Sequence, residues 1–465
     1  MYRSLVAAVI TASDEPLTSS SALEIAELVG RREVSAERVA IAHLARIDLL
    51  DPELGAFQVV DRARVLTDAR GVDADPSRRG GPLAGVPVAV KDNVDVQGLP
   101  TRYGSAATPD GPVGADDELV RRLRAAGCVV LGKTRMPELA IWPFTESLAF
   151  GVTRNPWSPE RTAGGSSGGS AVAVATGMAA LALGSDGGGS IRIPAACCGI
   201  FGFKPAPGLV PLAHGAQSHW FGLSAFGPLS RTVADAALML DVLAGRAPRP
   251  APAPPPKLRI AVSRRPTVPG SLIDLEVAAV VDDAAQRFRE AGHTVVEADP
   301  PYPFDGGLRF SRRWLPGIAE DAEGLDPERF EPRTRKMARA GRLLRRLGLA
   351  APVAREPLGD RMRAWFTDRD LLLMPALASL PVRHHRWSGG WIRTAFGVAS
   401  WIQTAVWNLC AFPAASVPLA LSKDRLPIAV QLVAPPGAED TILAAAGQLS
   451  QLARFPAWTA VPASA

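Results

Sequence analysis

Lysine is scarce in this 465-residue chain, because only six of its 51 basic residues are lysines and the rest are arginines. A lysine at a chemically suggestive position is therefore worth noticing. The basic residues nearly balance the 46 acidic ones, which leaves a formal net charge of +5. So small an excess gives no reason to expect a nucleic-acid partner.

Cysteine and long apolar runs are sparse as well. The apolar run at residues 5–10 is too short for a secretory core or a membrane span. The cysteines show no C-x-x-C spacing and lie in apolar surroundings, which predicts buried reduced thiols rather than disulfides or a zinc site; they are Cys128, Cys197, Cys198 and Cys410. We therefore expect a soluble, cytoplasmic protein.

Apolar periodicity divides the chain into five segments that are expected to form one domain. Residues 1–75 are predicted to be mainly helical, residues 76–247 carry the suggestive motifs, and residues 248–257 form a proline-rich linker. Residues 258–370 combine a strand–helix–strand unit with an arginine-rich helical stretch, and residues 371–465 return to the core.

Residues 164–202 differ from the rest of the chain, because they consist mostly of Gly, Ser and Ala. Two glycine–serine turns flank the small and apolar stretch from Ala171 to Leu183, which predicts a buried helix. Consecutive glycines let backbone N–H groups converge on one point, as the stabilisation of an oxyanion requires. Ser190, at the end of the second turn, is the best candidate nucleophile.

A serine nucleophile needs a base, and Lys91 is the best candidate for it. The apolar run at residues 85–90 predicts a strand that carries Lys91 into the protein, where burial disfavours its charged form. A lysine at a strand end is, on the other hand, often no more than a solvated charge. No recognisable motif links a histidine to the glycine–serine turns; the histidines are His43, His214, His219, His293, His384 and His385.

Other motif-based interpretations fit less well. Residues 165–169 match the G-x-S-x-G pattern of an α/β-hydrolase esterase with Ser167 as nucleophile. That turn needs an apolar strand before it, whereas residues 155–161 are predicted to be a loop. The S-x-x-K motif is absent. Gly-Lys-Thr at 132–134 follows the apolar run 128–131, which predicts a buried strand rather than the glycine loop of a phosphate-binding site.

Taken together, the motifs resemble the amidase signature family. The resemblance rests on residues 164–170 and 184–195, and further matches cover most of the chain: VKDN at 90–93, GKT at 132–134, RNPW at 154–157, GFKP at 202–205, RTVAD at 231–235 and PAASVP at 413–418. It implies an α/β fold in which a large mixed sheet is covered on both faces by helices, with an inserted, mostly helical cap-like region.

The resemblance also implies a triad of Ser190, a cis-Ser166 and Lys91. Neutral Lys91 would draw a proton from Ser166, and Ser166 one from Ser190, which attacks a carbonyl to form an acyl-enzyme. No metal or organic cofactor is then required. The N–H groups implied to hold the oxyanion are those of Gly187, Gly188, Gly189 and Ser190.

Three residues are expected to support this site. Asp186 and Arg192 would form a buried pair that fixes the turn, since a lone buried charge there is costly, and Ser167 would add support. The sequence departs from the commonest family pattern at Gly187, where Thr or Ile often stands. This difference removes a side chain beside the predicted oxyanion hole.

Family members build their substrate pockets from variable segments, which here are apolar and aromatic. This favours an apolar or aryl amide, and carbamates and esters share the same acyl-transfer geometry. Whether the Trp-rich segment 387–407 is a lid or core stays open. The predicted pocket residues are Ile141, Trp142, Phe144, Trp220, Phe221 and Trp401.

Two other functions are weighed against the amidase. The A-type component of an amidotransferase, which releases ammonia from glutamine for a tRNA-bound acid, needs partner subunits and a polar pocket. A non-enzymatic binding protein would not need the predicted triad. As an amidase, the protein is expected to be a monomer or homodimer whose partner is a small-molecule amide or carbamate.

The positive charge is concentrated in one stretch. Residues 328–346 hold eight basic and two acidic residues, and apolar residues lie between them. Residues 333–347 thus have the pattern of a basic amphipathic helix that touches an anionic membrane surface. A solvated helix beside the active site is the favoured interpretation.

Overall fold

The structure of this protein is a computed structural model that describes residues 15–351 and 357–458. The apolar run at residues 5–10 therefore lies outside the described residues. The helices are α1 (Glu15–Ser19), α2 (Ala22–Gly30), α3 (Ala36–Leu54), α4 (Arg62–Ala74), α5 (Pro76–Arg79), α6 (Glu118–Ala125), α7 (Gly168–Ala175), α8 (Arg192–Cys198), α9 (Val233–Leu243), α10 (Leu275–Glu290), α11 (Gly306–Asp321), α12 (Pro332–Arg346), α13 (Pro357–Trp365), α14 (Trp391–Trp401), α15 (Ala405–Leu409) and α16 (Glu439–Ala453).

The strands are β1 (Phe57–Val59), β2 (Pro87–Lys91), β3 (Val129–Thr134), β4 (Glu146–Ser147), β5 (Gly151–Val152), β6 (Arg154–Asn155), β7 (Ser158–Thr162), β8 (Leu181–Asp186), β9 (Phe201–Lys204), β10 (Ala225–Ser230), β11 (Arg259–Val262), β12 (Thr294–Glu297), β13 (Leu371–Pro375), β14 (Ala414–Leu421) and β15 (Pro427–Val433). Eleven of them form one sheet in the order β1-β3-β2-β8-β10-β9-β14-β15-β13-β11-β12.

This large sheet is mixed. β2 runs parallel to β3 and β8, and β11 runs parallel to β12 and β13, whereas the other neighbours are antiparallel. The pairing of β9 with β14 makes the sheet continuous across the proline-rich segment 248–257. The predicted α/β class with a large mixed sheet is confirmed.

The sheet separates two apolar cores. In β13, Leu371 and Leu373 belong to one core, and Leu372 and Met374 belong to the other, as the two-residue period of a strand requires when both faces are covered. The second core also takes in buried side chains of α11, α12 and α13. The helical stretch predicted after residue 305 thus forms the region that covers this face.

Several local predictions are confirmed. Ser35 caps α3, because its side chain accepts a hydrogen bond of 3.0 Å from Arg38 N. The strand–helix–strand unit is present as β11, α10 and β12, with its two strands parallel. The four cysteines are free and buried.

The predicted helix from Ala171 to Leu183 is wrong in part. Helix α7 ends at Ala175, and the residues from Leu181 onward form strand β8. Gly177 lies between them with a φ of +72°, and a Cβ there would lie 2.7 Å from Thr18 O. Because β8 is buried on both faces between β2 and β10, its apolar run is hard to distinguish from that of a buried helix.

The segment 155–161 is not the loop that its sequence predicts. β6 and β7 form a short antiparallel hairpin here. Pro159 and Glu160 are exposed on it, so the hairpin lacks the apolar alternation that would have predicted a strand. It is also not the apolar strand that a G-x-S-x-G turn needs.

Helix α12 carries the basic stretch on the outside of the second core. Met337 and Ala338 are buried, and Gly341 packs so closely on α11 that a Cβ there would overlap Leu315 O. Leu343, near the end of α12, is exposed. Among the helices of residues 15–351 and 357–458, none is long and apolar enough to cross a membrane.

Candidate active site

Two neighbouring parallel strands bring the predicted residues to one edge of the sheet. β2 ends at Lys91, and β8, which pairs with it through Val90 and Leu183, ends at Asp186. Because parallel neighbours end at the same edge, Lys91 meets the turn that follows β8. This turn, residues 187–191, leads into α8 and is called the glycine turn below.

Lys91 is fully buried, and its amine has oxygen neighbours. Nζ lies 2.7 Å from Ser166 Oγ, 2.8 Å from Ser185 Oγ and 3.3 Å from Ser185 O. Burial lowers the pKa of Lys91 to about 7, although the charge of Asp186 raises it. At neutral pH a large share of the amine is therefore uncharged and has a lone pair that can accept a proton.

Ser166 and Ser167 lie at the start of α7, next to Lys91 and the glycine turn. Both are buried, and the peptide bond between Gly165 and Ser166 is cis. Ser167 N donates a hydrogen bond of 3.1 Å to Ser190 O, so the segments carrying Lys91, Ser166 and Ser190 come together. The Ser167 hydroxyl donates to Ser185 O at 3.2 Å, which speaks against Ser167 as the nucleophile of an esterase.

The glycine turn presents backbone N–H groups that can bind a substrate oxygen. Within the described residues, the N–H groups of Gly187, Gly188 and Ser190 have no protein acceptor. Gly189 differs, because its N–H donates to Asp186 Oδ1 at 2.7 Å. The prediction that Gly189 donates to the oxyanion is therefore wrong in this structure, since its N–H already donates a hydrogen bond to the Asp186 carboxylate.

A buried ion pair fixes the glycine turn. Arg192 Nε and Nη2 donate to the Asp186 carboxylate at 3.0 and 2.9 Å, and neither side chain is exposed. Asp186 also accepts from Ile191 N at 3.1 Å. Burial raises the pKa of Asp186, but the charge and hydrogen bonds of Arg192 outweigh it, so the pKa lies well below its usual value. The turn is thus tied to a charge that stays ionised.

Side chains near the end of the chain complete this network, and the sequence analysis missed them. Asn408 Oδ1 and Gln431 Oε1 accept from Arg192 at 2.6 and 2.7 Å, and Thr404 Oγ1 donates to Gly188 O at 2.7 Å. Asn408 also donates to Asp186 Oδ1 at 2.9 Å. Gln431 is fully buried in the apolar run of β15, and a polar residue in such a run is the signal that could have identified it.

Aromatic rings lie beside the glycine turn. A Cβ on Gly188 would lie 3.0 Å from the Phe310 ring on α11. Phe310 packs on Trp314, Trp314 on Trp142 and Trp142 on Phe144, with ring centroids 5.8, 5.6 and 5.7 Å apart. These four residues form one aromatic wall that extends from the glycine turn into the second core.

Comparison with known proteins identifies the family. A sequence model of the amidase family matches residues 38–443. The chain belongs to the amidase signature family. A solved bacterial aryl acylamidase of that family superposes on this amidase with a TM-score of 0.84 at 28% identity, over 95% of this chain and 97% of the other. The expected membership and fold are thereby confirmed.

Curated relatives of this amidase have more than one activity in their names. The putative amidase AmiB2 of Mycobacterium tuberculosis is 44% identical over 93% of this chain and 96% of its own. An acylamidase of Rhodococcus erythropolis is 34% identical, over 89% and 91%. The A-type component of the glutamyl-tRNA(Gln) amidotransferase of Moorella thermoacetica is also 34% identical, over 94% and 97%. Identity alone therefore does not separate an acylamidase from an amidotransferase component.

The remaining predicted pocket residues of the amidase lie in different surroundings. Trp220 packs on Gly187, Ile141 is buried in the second core, and Phe221 is partly exposed. Trp401 lies in the first core, where its indole N–H donates to Ser379 O at 3.2 Å. The structure therefore does not bring Trp401 into the aromatic wall.

The Trp-rich segment of the amidase is packed on the body of the protein through one face. In α14, Thr394 and Val398 are buried, whereas Ile392 and Phe396 are exposed. The Trp387 ring, which precedes the helix, lies 5.5 Å from Phe144 of the aromatic wall. The segment thus joins the first core to the wall.

Half of the six lysines are buried, and they lie close to the site. Besides Lys91, they are Lys133, which pairs with Asp92 at 3.0 Å, and Lys204, which donates to Pro205 O at 3.0 Å. Burial lowers the pKa of Lys204 to about 7. Among the described residues, no group of three or more His, Cys, Asp or Glu side chains is arranged to hold a metal ion.

Proposed function

We propose that this amidase hydrolyses the C–N bond of small apolar or aryl carboxamides through an acyl-enzyme on Ser190. The observation that carries the proposal is the 2.7 Å contact between Lys91 Nζ and Ser166 Oγ, because the pKa of that amine is lowered to about 7. A base of this pKa is matched to proton transfer at neutral pH.

In the first step, the neutral Lys91 amine takes the proton of Ser166, and Ser166 takes the proton of Ser190. Ser190 Oγ then forms a bond to the carbonyl carbon of the amide, and the carbonyl π electrons move to oxygen. The resulting oxyanion accepts hydrogen bonds from the free N–H groups of the glycine turn, those of Gly187, Gly188 and Ser190.

In the second step, the tetrahedral intermediate collapses and the C–N bond breaks. The leaving nitrogen receives the proton that Lys91 holds, through Ser166, and departs as a neutral amine. Water then adds to the acyl-enzyme and gives a proton to Lys91 through Ser166. That proton returns by the same path to Ser190 Oγ as the bond between Oγ and the acyl carbon breaks, and the carboxylic acid is released.

The aromatic wall supports the substrate class. Phe310 is a neutral ring beside Gly188 and Trp314 packs on it, and stacking against such a ring favours an aryl or apolar acyl or leaving group. The acylamidase relative and the solved aryl acylamidase agree with this choice. Carbamates and esters present the same carbonyl geometry, so we propose them as further substrates.

The second candidate is the glutamine-hydrolysing component of an amidotransferase, which the relative from Moorella thermoacetica favours. Such a component has to bind the charged amino and carboxylate groups of glutamine. The ring beside Gly188 is that of Phe310, which is neutral and offers no partner for these charges, and we therefore place this candidate second.

The purified chain is tested on p-nitroanilides, aliphatic amides, carbamates, esters and glutamine, together with Ser190→Ala. We expect the wild type to hydrolyse aryl amides fastest and the variant to lose about a thousandfold or more in rate. Intact-mass measurement after mixing with a p-nitrophenyl ester should detect the acyl adduct, and peptide mapping should locate it on Ser190. Glutamine hydrolysed faster than every aryl amide would favour the amidotransferase, and full activity of Ser190→Ala would refute the proposal.

A further inference from the structure

Trp220 is wedged between the glycine turn and helix α11. A Cβ on Gly187 would lie 2.8 Å from Trp220 Cε3, and a Cβ on Gly317 of α11 would lie 2.5 Å from Trp220 Cδ1. The indole is almost completely buried, at 4% exposure. The ring thus fills the space that side chains at positions 187 and 317 would otherwise take.

Hydrogen bonds to the last residue of α11 hold Trp220, which is called the wedge below. Trp220 Nε1 donates to Asp321 Oδ2 at 2.7 Å, and His219 Nε2 lies 3.1 Å from Asp321 Oδ1. The other ring nitrogen of His219 lies 2.6 Å from Ser224 Oγ. Asp321 therefore anchors two consecutive side chains of the segment that carries the wedge.

The backbone at Trp220 and at Phe221, the next residue, has a conformation that depends on contacts with neighbouring residues. Trp220 and Phe221 have φ values of +48° and +54°, in the left-handed region that residues other than glycine rarely adopt. Such residues persist where neighbouring contacts fix them, and they cluster at functional sites. Here the fixed conformation places the Trp220 ring against Gly187.

Helix α11 meets the glycine turn at a second point. Phe310 packs on Gly188, and Gly317, which contacts Trp220, follows it by seven residues and so lies on the same face of the helix. Helix α11 thus touches Gly188 directly, through Phe310, and Gly187 by way of Trp220. The N–H groups of both glycines have no acceptor within the described part of the chain. The position of the helix and the position of those N–H groups are therefore coupled.

Resting on the proposed function, we propose that Trp220, anchored by Asp321 and His219, is a positioning residue that holds the N–H groups of Gly187 and Gly188 in place for the oxyanion. Gly187 is its size-matched partner. A threonine, often expected at this position from the family resemblance, cannot share the space with the indole. Trp220 acts through the backbone that it supports and takes no part in proton transfer.

A double-mutant cycle tests this pairing. Gly187→Thr introduces an overlap with the ring, and Trp220→Ala removes the support, so each is expected to lower kcat on a p-nitroanilide by about tenfold or more, with a smaller change in KM. In Gly187→Thr/Trp220→Ala the threonine side chain enters the space that the indole has left. The kcat of this double variant should be about fivefold or more above the value expected if the losses of the two single variants simply multiplied. Rates are referred to active sites titrated by the burst of a p-nitrophenyl ester.

Two further sets of variants distinguish the loss of Trp220 positioning from a general loss of activity. Asp321→Asn keeps an oxygen that accepts from Trp220 Nε1, so it should lose less kcat than Asp321→Ala. Trp365→Ala serves as the control, since Trp365 lies on α13, packs on Phe366 and is not among the neighbours of Gly187, Gly188 or Gly189. We expect it to retain kcat within about twofold.

Thermal unfolding gives a readout that does not depend on turnover. Gly187→Thr should lower the melting temperature by about 2 °C or more in the wild type, and by less in the Trp220→Ala background. Additive changes in kcat and in melting temperature would overturn the wedge proposal. A wild type inactive on the whole substrate panel would refute the proposed function instead, and the melting cycle alone would then decide whether Gly187 and Trp220 are paired.

Discussion

The pH dependence of turnover follows from the burial of Lys91. Its pKa is lowered to about 7, and only the neutral amine can take the proton of Ser166. The neutral fraction is then about 9% at pH 6, about half at pH 7 and about 91% at pH 8. A lysine with the ordinary pKa of about 10.4 would be only about 0.4% neutral at pH 8. Activity should therefore rise with pH and level off above about pH 8.

The measurement is kcat/KM for an uncharged p-nitroanilide from pH 5 to 9.5 at constant ionic strength. We expect one ionisation with a midpoint near 7 and a slope of one below it. Lys204 provides the matched control, because burial lowers its pKa to about 7 as well. Lys204→Met should keep the midpoint, whereas Lys91→Met should have no measurable turnover.

Three results would refute this reasoning. A profile that keeps rising tenfold per pH unit up to pH 9.5 would mean that the base has an ordinary lysine pKa. A flat profile from pH 5 would remove Lys91 from the role of base. A midpoint that moves in Lys204→Met would show that the ionisation had been assigned to the wrong lysine.

Further predictions concern the ion pair, the buried lysine and the aromatic wall. Arg192→Met leaves the Asp186 carboxylate buried without its partner, so it should lower the free energy of unfolding, measured in urea, by about 3–5 kcal/mol. Asp186→Asn/Arg192→Met should lower it by less than Arg192→Met does, because no buried charge is left. Equal losses in the single and the double variant would contradict the pairing. Between pH 7 and 8.5 the unfolded state keeps a proton on Lys91 that the folded state progressively loses, because the folded pKa is about 7. Wild-type stability should therefore rise over this range by about 1.1 kcal/mol per pH unit more than that of Lys91→Met, and equal slopes would argue against a lowered pKa. Phe310→Ala should raise KM for aryl amides by about tenfold and leave that for short aliphatic amides nearly unchanged, since about 1.5 kcal/mol of ring contact is lost; a uniform change would argue against an aryl site.

Much of the site could be predicted from the sequence because its chemistry is concentrated in short glycine-rich segments. Lys91 follows an apolar run of strand length, and Ser190 ends a run of glycines, so local patterns point to both. The side chain of Asp186 and that of Arg192 are six residues apart, close enough for the pairing to be expected from one segment. Each of these inferences needs only neighbouring residues.

What the sequence could not supply depends on contacts between distant segments or on backbone geometry. The N–H of Gly189 is unavailable to an oxyanion because it donates a hydrogen bond to the Asp186 carboxylate. The amino-acid composition of the turn does not predict which way this N–H points. The end of α7 at Ala175 depends on the place of β8 between two other strands. Trp220 is recognisable as a wedge only once α11 lies against it.

The partners of Arg192 have a consequence for how the enzyme is assembled. Thr404, Asn408 and Gln431 accept hydrogen bonds from a guanidinium that lies 212 to 239 positions earlier in the chain. A ribosome therefore completes all three proposed triad residues long before it makes the groups that orient Arg192. A chain that stops before Thr404 would contain every reacting group and still lack a fixed oxyanion site, so the smallest working unit extends through β15.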